Sequence, residues 1–112
     1  MAQAIERQLN QEKVFLKSDL TLRDLSEKVG STEKKISYLL NQHLKTNFYE
    51  LVNKHRVKQF KMEVAKPENH NLSIVGMALN CGFPSKSSFY RAFKFHVGTS
   101  PSEYIKEIRK PK

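Results

Sequence analysis

Leu72-Ser73-Ile74-Val75-Gly76-Met77, closed by Gly82, repeats Leu20-Thr21-Leu22-Arg23-Asp24-Leu25, closed by Gly30, at an offset of 52 residues. With one residue inserted after the glycine, Ile36 falls on Phe89, Leu40 on Phe93, His43 on His96, Thr46 on Thr99 and Glu50 on Glu103. Each copy reads as a short helix, a tight turn at glycine, a longer helix and the start of a third. A helix-turn-helix pair is the simplest unit with that order, and its second helix is the one that enters a major groove. Two copies in one basic chain predict a double-headed DNA binder.

The 112 residues are expected to form one domain of two lobes, 4–47 and 72–109, joined by a linker helix over 48–66. A lobe of about 50 residues is near the size at which a lone hydrophobic core becomes marginal, so the lobes should lean on a shared element. The net charge of +9 is uneven, with ten basic against seven acidic side chains in residues 1–56 and ten against four in 57–112. That surplus attracts any polyanion, RNA and acidic lipid included, and by itself does not select DNA. Hydrophobic runs are only a few residues long, too short to span a membrane. Met1-Ala2-Gln3-Ala4 lacks the charged-then-apolar order of a signal peptide, and the expected location is cytoplasmic and nucleoid-associated. A single cysteine excludes an internal disulfide and a cysteine-built zinc cluster.

Along the chain, Ile5, Leu9, Val14 and Leu16 predict a loose amphipathic helix over 4–17. Thr21 and Asp24 form a capping pattern for a second helix with Leu22, Leu25 and Val29 on one face, and Gly30 ends it. Thr32 caps the next, expected to run to about Leu44 with Ile36, Leu39, Leu40 and Leu44 inward. Asn47 and Glu50 open the long helix that Pro67 stops. The polar stretch Pro67-Glu68-Asn69-His70-Asn71 is the expected connector. Ser73 caps a short helix to about Cys81, Gly82-Phe83-Pro84 makes the turn, and Ser85 caps a helix with Phe89, Ala92, Phe93 and Val97 inward. Ser100-Pro101-Ser102-Glu103 starts a last helix with a cap, a proline at the first position and an acid at the third. No stretch alternates at period two, so the fold is expected to be all-α.

The second copy carries a longer string: Ile74-x-x-Met77-Ala78-x-x-x-Gly82-Phe83, Ser88-Phe89-x-Arg91-x-Phe93-Lys94, and Gly98-x-Ser100-Pro101-x-x-Tyr104. This closely resembles the signature of the AraC/XylS transcriptional regulators. Leu20-Thr21-Leu22-x-x-Leu25-Ser26 and Arg56 fit the same pattern, so the resemblance runs from about Leu20 to Ile105. It implies seven helices, forming two helix-turn-helix units joined by the long helix, in a bacterial transcription regulator. Both reading helices would enter successive major grooves of promoter DNA. The implied partners are double-stranded promoter DNA, RNA polymerase subunits, and a sensing or dimerising region belonging to a longer parent protein. Lys45 stands where the family usually has glycine, Leu40 where phenylalanine is common, Phe60 where a small residue is usual, and Ser100 where threonine is commoner.

On the first reading helix the inward stripe leaves Lys34, Ser37, Tyr38 and Asn41 outward. On the second it leaves Lys86, Ser87, Ser88, Tyr90, Arg91 and Lys94 outward. Arginine and lysine read guanine O6/N7, asparagine reads adenine, and small or aromatic groups meet thymine methyls. The resemblance places base contacts at Lys34, Ser37, Tyr38, Lys86, Ser87, Tyr90 and Arg91. Alternatives stay open for three of these. Arg91 has a phosphate or neighbouring helix as its other partner, and Tyr38 and Tyr90 have ring packing on the helix flank. Lys94 is placed on phosphate rather than base. Further phosphate contacts are expected from backbone amides at Ser31-Thr32, Asn47, Ser85 and Ser100.

Arg56 lies on the Val52-Arg56-Phe60 stripe and is expected to face protein, paired with a carboxylate. Cys81 is expected to be a buried, inert thiol. His43 and His96 sit near the ends of the reading helices, where a cation meets the helix dipole favourably, but they are too far apart to share a metal. No phosphate-cradling glycine loop, His-Glu-x-x-His or activated nucleophile is present, so neither enzyme chemistry nor a cofactor is expected. The competing class is a protein-interaction module docking a polymerase subunit or partner domain. RNA binding ranks third, since stacking platforms are absent.

Overall fold

The computed structural model describes residues 2–109; Met1 and residues 110–112, the ends of the expected 1–112 domain, lie outside the described residues. Among the described residues there are seven α-helices and no strand: α1 (Ala2–Asn10), α2 (Leu22–Lys28), α3 (Glu33–Gln42), α4 (Phe48–Ala65), α5 (Ile74–Asn80), α6 (Lys86–Val97) and α7 (Pro101–Ile108). Single 3-10 turns at Val14–Leu16 and Pro67–Asn69 complete the path. The molecule measures 47 × 25 × 23 Å.

Most helix starts follow from local chemistry. Asp24 N–H donates to Thr21 Oγ1 and Thr21 N–H donates to Asp24 Oδ2, both at 3.1 Å, which closes a reciprocal capping box. The hydrogen bond from the Thr21 backbone also holds the Asp24 carboxyl below its usual range. Ser85 and Ser88 close a second such box at α6, while the side chains of Asn47, Ser73 and Ser100 cap α4, α5 and α7 by accepting from the N–H three residues on.

The expected helix over 4–17 is instead two pieces. Lys13 adopts a left-handed conformation (φ 51°, ψ 44°) after α1, and the chain re-enters as the 3-10 turn. The break drives Phe15 into the core and leaves Leu16 42% exposed, the reverse of the expected inward Leu16. The larger aromatic side chain gains more from burial, and the left-handed residue provides the change of direction that a continuous helix lacks.

Two cores result. Ile5, Leu9, Phe15, Leu20, Leu25, Ile36 and Leu40 form the first, joined by Phe48, Leu51 and Val52 from the first half of α4. Val57, Phe60 and Val64 from its second half join Met77, Phe83, Phe89, Phe93 and Ile105 in the other. At about 1.5 Å per residue, the 18 residues of α4 span about 27 Å. Phe60 sits at the centre of the second core, its ring 4.8 Å from Phe89 and 5.6 Å from Phe93. The connector is tied back to α4, because Asn69 Nδ2 donates to the Glu63 carbonyl at 2.8 Å.

Arg56 is 6% exposed, and its partners are not the expected carboxylate. Its Nε donates to the Phe15 carbonyl at 2.8 Å and its Nη2 to the Lys17 carbonyl at 2.9 Å. Burial lowers the guanidinium from its ordinary pKa, yet arginine stays charged in proteins, and two carbonyls supply the acceptors its fork requires.

α3 stops at Gln42, two residues short of the expected Leu44, which is 37% exposed. The terminus closes with Thr46 N–H donating to the Leu40 carbonyl at 3.0 Å, across Lys45 at φ 51°. The equivalent residue after α6 is Gly98, at φ 87°. A left-handed conformation costs a non-glycine residue about 1–2 kcal/mol, partly offset by the lower unfolded-state entropy that any side chain brings. Lys45→Gly is therefore expected to raise Tm slightly in thermal denaturation. Gly98→Ala, where an added Cβ meets nothing within 4 Å, should cost about 1 kcal/mol from conformation alone.

Candidate nucleic-acid interface

α3 and α6 each lean on a core by one stripe, Ile36 and Leu40 in the first, Phe89, Ala92 and Phe93 in the second. The opposite stripes lie at i, i+4 and i+7: Lys34, Tyr38 and Asn41 on α3, and Ser87, Arg91 and Lys94 on α6. All six are exposed, and each is the 53-residue counterpart of the other helix's member. Residues at this spacing share one face of a helix. The two repeats thus present equivalent faces with different chemistry: cation, phenol and amide on α3; hydroxyl, guanidinium and ammonium on α6.

The remaining sequence-predicted residues sit differently. Ser37 is half-buried on the flank of the α3 stripe. Ser88 is also half-buried, and its hydroxyl belongs to the α6 capping box: it donates to the Ser85 carbonyl at 2.9 Å and accepts from Ser85 N–H at 3.2 Å. Tyr90 is half-buried with its ring centroid 5.3 Å from Phe89, and the Lys86 ammonium lies 5.8 Å from the Tyr90 ring. Tyr38 is 64% exposed, with its ring centroid 6.4 Å from that of His43 in an edge-on arrangement. It borders an open depression of about 550 Å³ with Lys34, Lys35, Leu39 and His43.

At the helix starts, the side chains of Thr32, Asn47, Ser85 and Ser100 each accept from the N–H three residues on. Ser31 differs: its hydroxyl is buried without a hydrogen-bond partner. His96 is half-buried, and burial lowers its pKa, which opposes a cationic role at the end of α6 near neutral pH. Burial likewise pushes the Cys81 thiol up to about 12. Among the described residues no group of three or more His, Cys, Asp or Glu is arranged to hold a metal, and no helix is long and apolar enough to cross a membrane.

Two aromatic side chains escaped the sequence reading. Tyr49 and Phe95 are 75% and 68% exposed and border a cleft between α4 and α6 that also contains Asn53, Arg91 and His96. Phe95 falls off the Phe89-Phe93 core stripe, and that mismatch was the available signal. The cleft places the Arg91 side chain beside the linker helix as well as on the outer face of α6.

A helix-turn-helix domain family matches residues 25–107. An HTH-type transcriptional regulator of Staphylococcus aureus is 33% identical over 86 residues, covering 77% of this chain and 11% of that protein. YpdC, an HTH-type transcriptional regulator of Escherichia coli, is 33% identical over 85 residues, covering 76% of this chain and 29% of that protein. The chain thus spans only about a tenth to a third of these relatives' length. Among solved structures, the C-terminal domain of AraT, a response regulator from Geobacillus stearothermophilus, matches with a TM-score of 0.73 and 29% identity. That match covers 92% of this chain and 84% of the other. A transcriptional regulator with an AraC-type DNA-binding domain from Chromobacterium violaceum matches in fold, with a TM-score of 0.79 at 20% identity over 99% and 96% of the two chains.

The lowered pKa values of His55 and His96, both caused first by burial, fix a pH dependence of stability. Each imidazole is harder to protonate in the folded state, so the unfolded chain takes up protons first as pH falls through 6.5. Stability present above that pH is lost below it as the folded-state pKa values are crossed. Urea midpoints should decline as pH falls below 6.5, and His55→Gln should flatten the decline.

Proposed function

The chain belongs to the AraC-type helix-turn-helix family of DNA-binding transcriptional regulators, and on that footing we propose that α3 and α6 are both recognition helices, placed in successive major grooves of one duplex. The observation that carries this is the pair of equivalent exposed stripes, Lys34/Tyr38/Asn41 and Ser87/Arg91/Lys94, on two helices whose opposite faces lie in the two cores to which α4 contributes. Successive major grooves on one face of B-DNA are about 34 Å apart, and a molecule 47 Å long is large enough to reach both. A head separation shorter than that repeat is accommodated by bending the duplex.

The two heads are successive copies in one polypeptide, so they face the same way along the DNA. The half-sites are therefore a direct, non-palindromic arrangement about one turn apart. Arg91 reads guanine through its planar fork, and Asn41 suits adenine. Lys94 and the net charge of +9 supply sequence-independent attraction to phosphate. Ser37, Lys86, Ser88 and Tyr90 border the two stripes and complete the proposed contact set; Ser88 and Tyr90 act mainly by positioning α6.

The domain organisation follows from the same reading: residues 4–47 and 72–109 are the two heads and 48–66 the spacer. The relatives are far longer, and this supports a parent protein in which a sensing or dimerising region controls the DNA-binding part. At a promoter, RNA polymerase subunits are the proposed neighbours.

Selection of bound sequences from a random duplex pool tests the proposal. The expected result is two short motifs about one helical turn apart, with affinity falling steeply as salt rises. Arg91→Ala should weaken binding by about 1–3 kcal/mol and relax preference within one motif, while Lys34→Ala and Tyr38→Ala should affect only the other. A single motif would confine base reading to one head, and salt-insensitive binding to any duplex would remove the electrostatic basis of the proposal.

A further inference from the structure

Three segments meet at the middle of α4. The first-head backbone at residues 15–17 presents the Phe15 and Lys17 carbonyls to Arg56. The α5–α6 turn of the second head presents Gly82 and Phe83: the Phe83 ring centroid lies 6.0 Å from the Arg56 guanidinium carbon. A Cβ on Gly82 would collide with the Phe15 carbonyl oxygen and would stand 2.9 Å from Leu16 Cα and 3.0 Å from Arg56 Nε. Leu16 also lines a depression with Met77, Asn80 and Cys81 of the second head. Here, then, the backbone of one head abuts the turn of the other, and a buried charge is shared between them.

A continuous helix fixes how far apart the heads lie, but it does not by itself stop them rolling about its axis. That restraint has to come from contact off the axis. Resting on the two-headed reading above, we infer that Arg56 is a positioning residue for DNA recognition: by clamping the Phe15 and Lys17 carbonyls beside Gly82, it sets the angular phase between α3 and α6 and so selects one spacing of half-sites. One base pair of B-DNA turns about 34°, since a full turn takes about 10–10.5 base pairs. A body whose heads are locked in phase tolerates one spacing, and a body whose heads roll tolerates its neighbours.

The clamp explains several oddities together. The left-handed Lys13 turns the chain so that residues 15–17 reach α4. Gly82 is the residue type required both by its φ of 101° and by the space available. Arg56 is buried with no carboxylate because carbonyls of the neighbouring head are the acceptors.

The test compares wild type, Arg56→Met and Arg56→Lys on duplexes carrying both selected half-sites at the preferred spacing, with one base pair added or removed, and on single half-sites. Residual dipolar couplings on the free protein report in parallel whether residues 22–42 and 74–97 share one alignment frame. Wild type should lose about tenfold or more in affinity for one base pair of offset, and Arg56→Met less than about threefold, with single-half-site affinity unchanged. Arg56→Lys, which keeps the charge but lacks the rigid fork that spans both carbonyls, should fall between them. Two alignment frames are expected in Arg56→Met against one in wild type.

An Arg56→Met protein that keeps the wild-type spacing penalty and a single frame overturns the inference. So does one that loses affinity equally on every duplex, including single half-sites, because that marks a merely structural role. If Arg56→Met does not fold, Arg56→Lys decides on the same criteria. If wild type binds only one half-site, the two-headed reading fails, and the alignment frames then decide alone whether Arg56 couples the heads.

Discussion

Each half of this chain is near the size at which a lone hydrophobic core becomes marginal, and the one helix they share contributes to both cores. α4 gives Phe48, Leu51 and Val52 to one core and Val57, Phe60 and Val64 to the other. Each core of a small domain is marginal, because the surface left exposed is large relative to the volume enclosed. A common helix removes surface from both at once and makes the two cores depend on each other. The elements that hold α4 in place, the Asn47 cap at one end and Lys66-Pro67 at the other, consequently matter to both cores.

The two cores reach stability by different means. The first is mainly aliphatic, and the second is a ring cluster in which Phe60, Phe83, Phe89, Phe93 and Tyr104 contact one another in tilted and edge-on arrangements. Aromatic pairs in such geometries gain beyond their buried area. The unusual bulk of Phe60 on the linker helix is therefore absorbed by the head it faces. The outer faces of α3 and α6 diverge too, Lys34, Tyr38 and Asn41 against Ser87, Arg91 and Lys94, while the inward positions stay apolar in both copies.

Much of this was legible in the sequence because the signals are local. Thr21 with Asp24, Asn47 with Glu50, and Ser100 with Pro101 and Glu103 mark helix starts through contacts spanning three residues, and the structure places a helix after each. The stripes Ile36-Leu40 and Phe89-Phe93 disclosed which faces are buried. What stayed hidden depends on backbone. Lys13 and Lys45 take left-handed conformations that lysine does not advertise, and so the break before Phe15 and the early end of α3 went unseen. Arg56 was rightly placed toward protein, but its partners are main-chain carbonyls, which carry no residue identity and leave no pattern to match. Within the candidate interface, the outward placement of Lys34, Tyr38, Asn41, Lys86, Ser87, Arg91 and Lys94 was legible. The half-burial of Ser37, Ser88 and Tyr90 was not: the cap at Ser88 and the ring contact at Tyr90 both use residues whose helical spacing looks solvent-facing.

The lone sulfhydryl gives this architecture a built-in stopwatch. Cys81 is buried at 1% exposure beside the aromatic core, and burial pushes its pKa up to about 12, so little reactive thiolate exists in the closed state. The aliphatic core has no counterpart. Alkylation by a small reagent therefore waits on opening of one core only, and its rate reports how often that core breathes while the other stays silent. Added duplex that grips α6 would slow the clock. A ligand acting solely through α3 would slow it only to the extent that α4 carries stability from one end to the other.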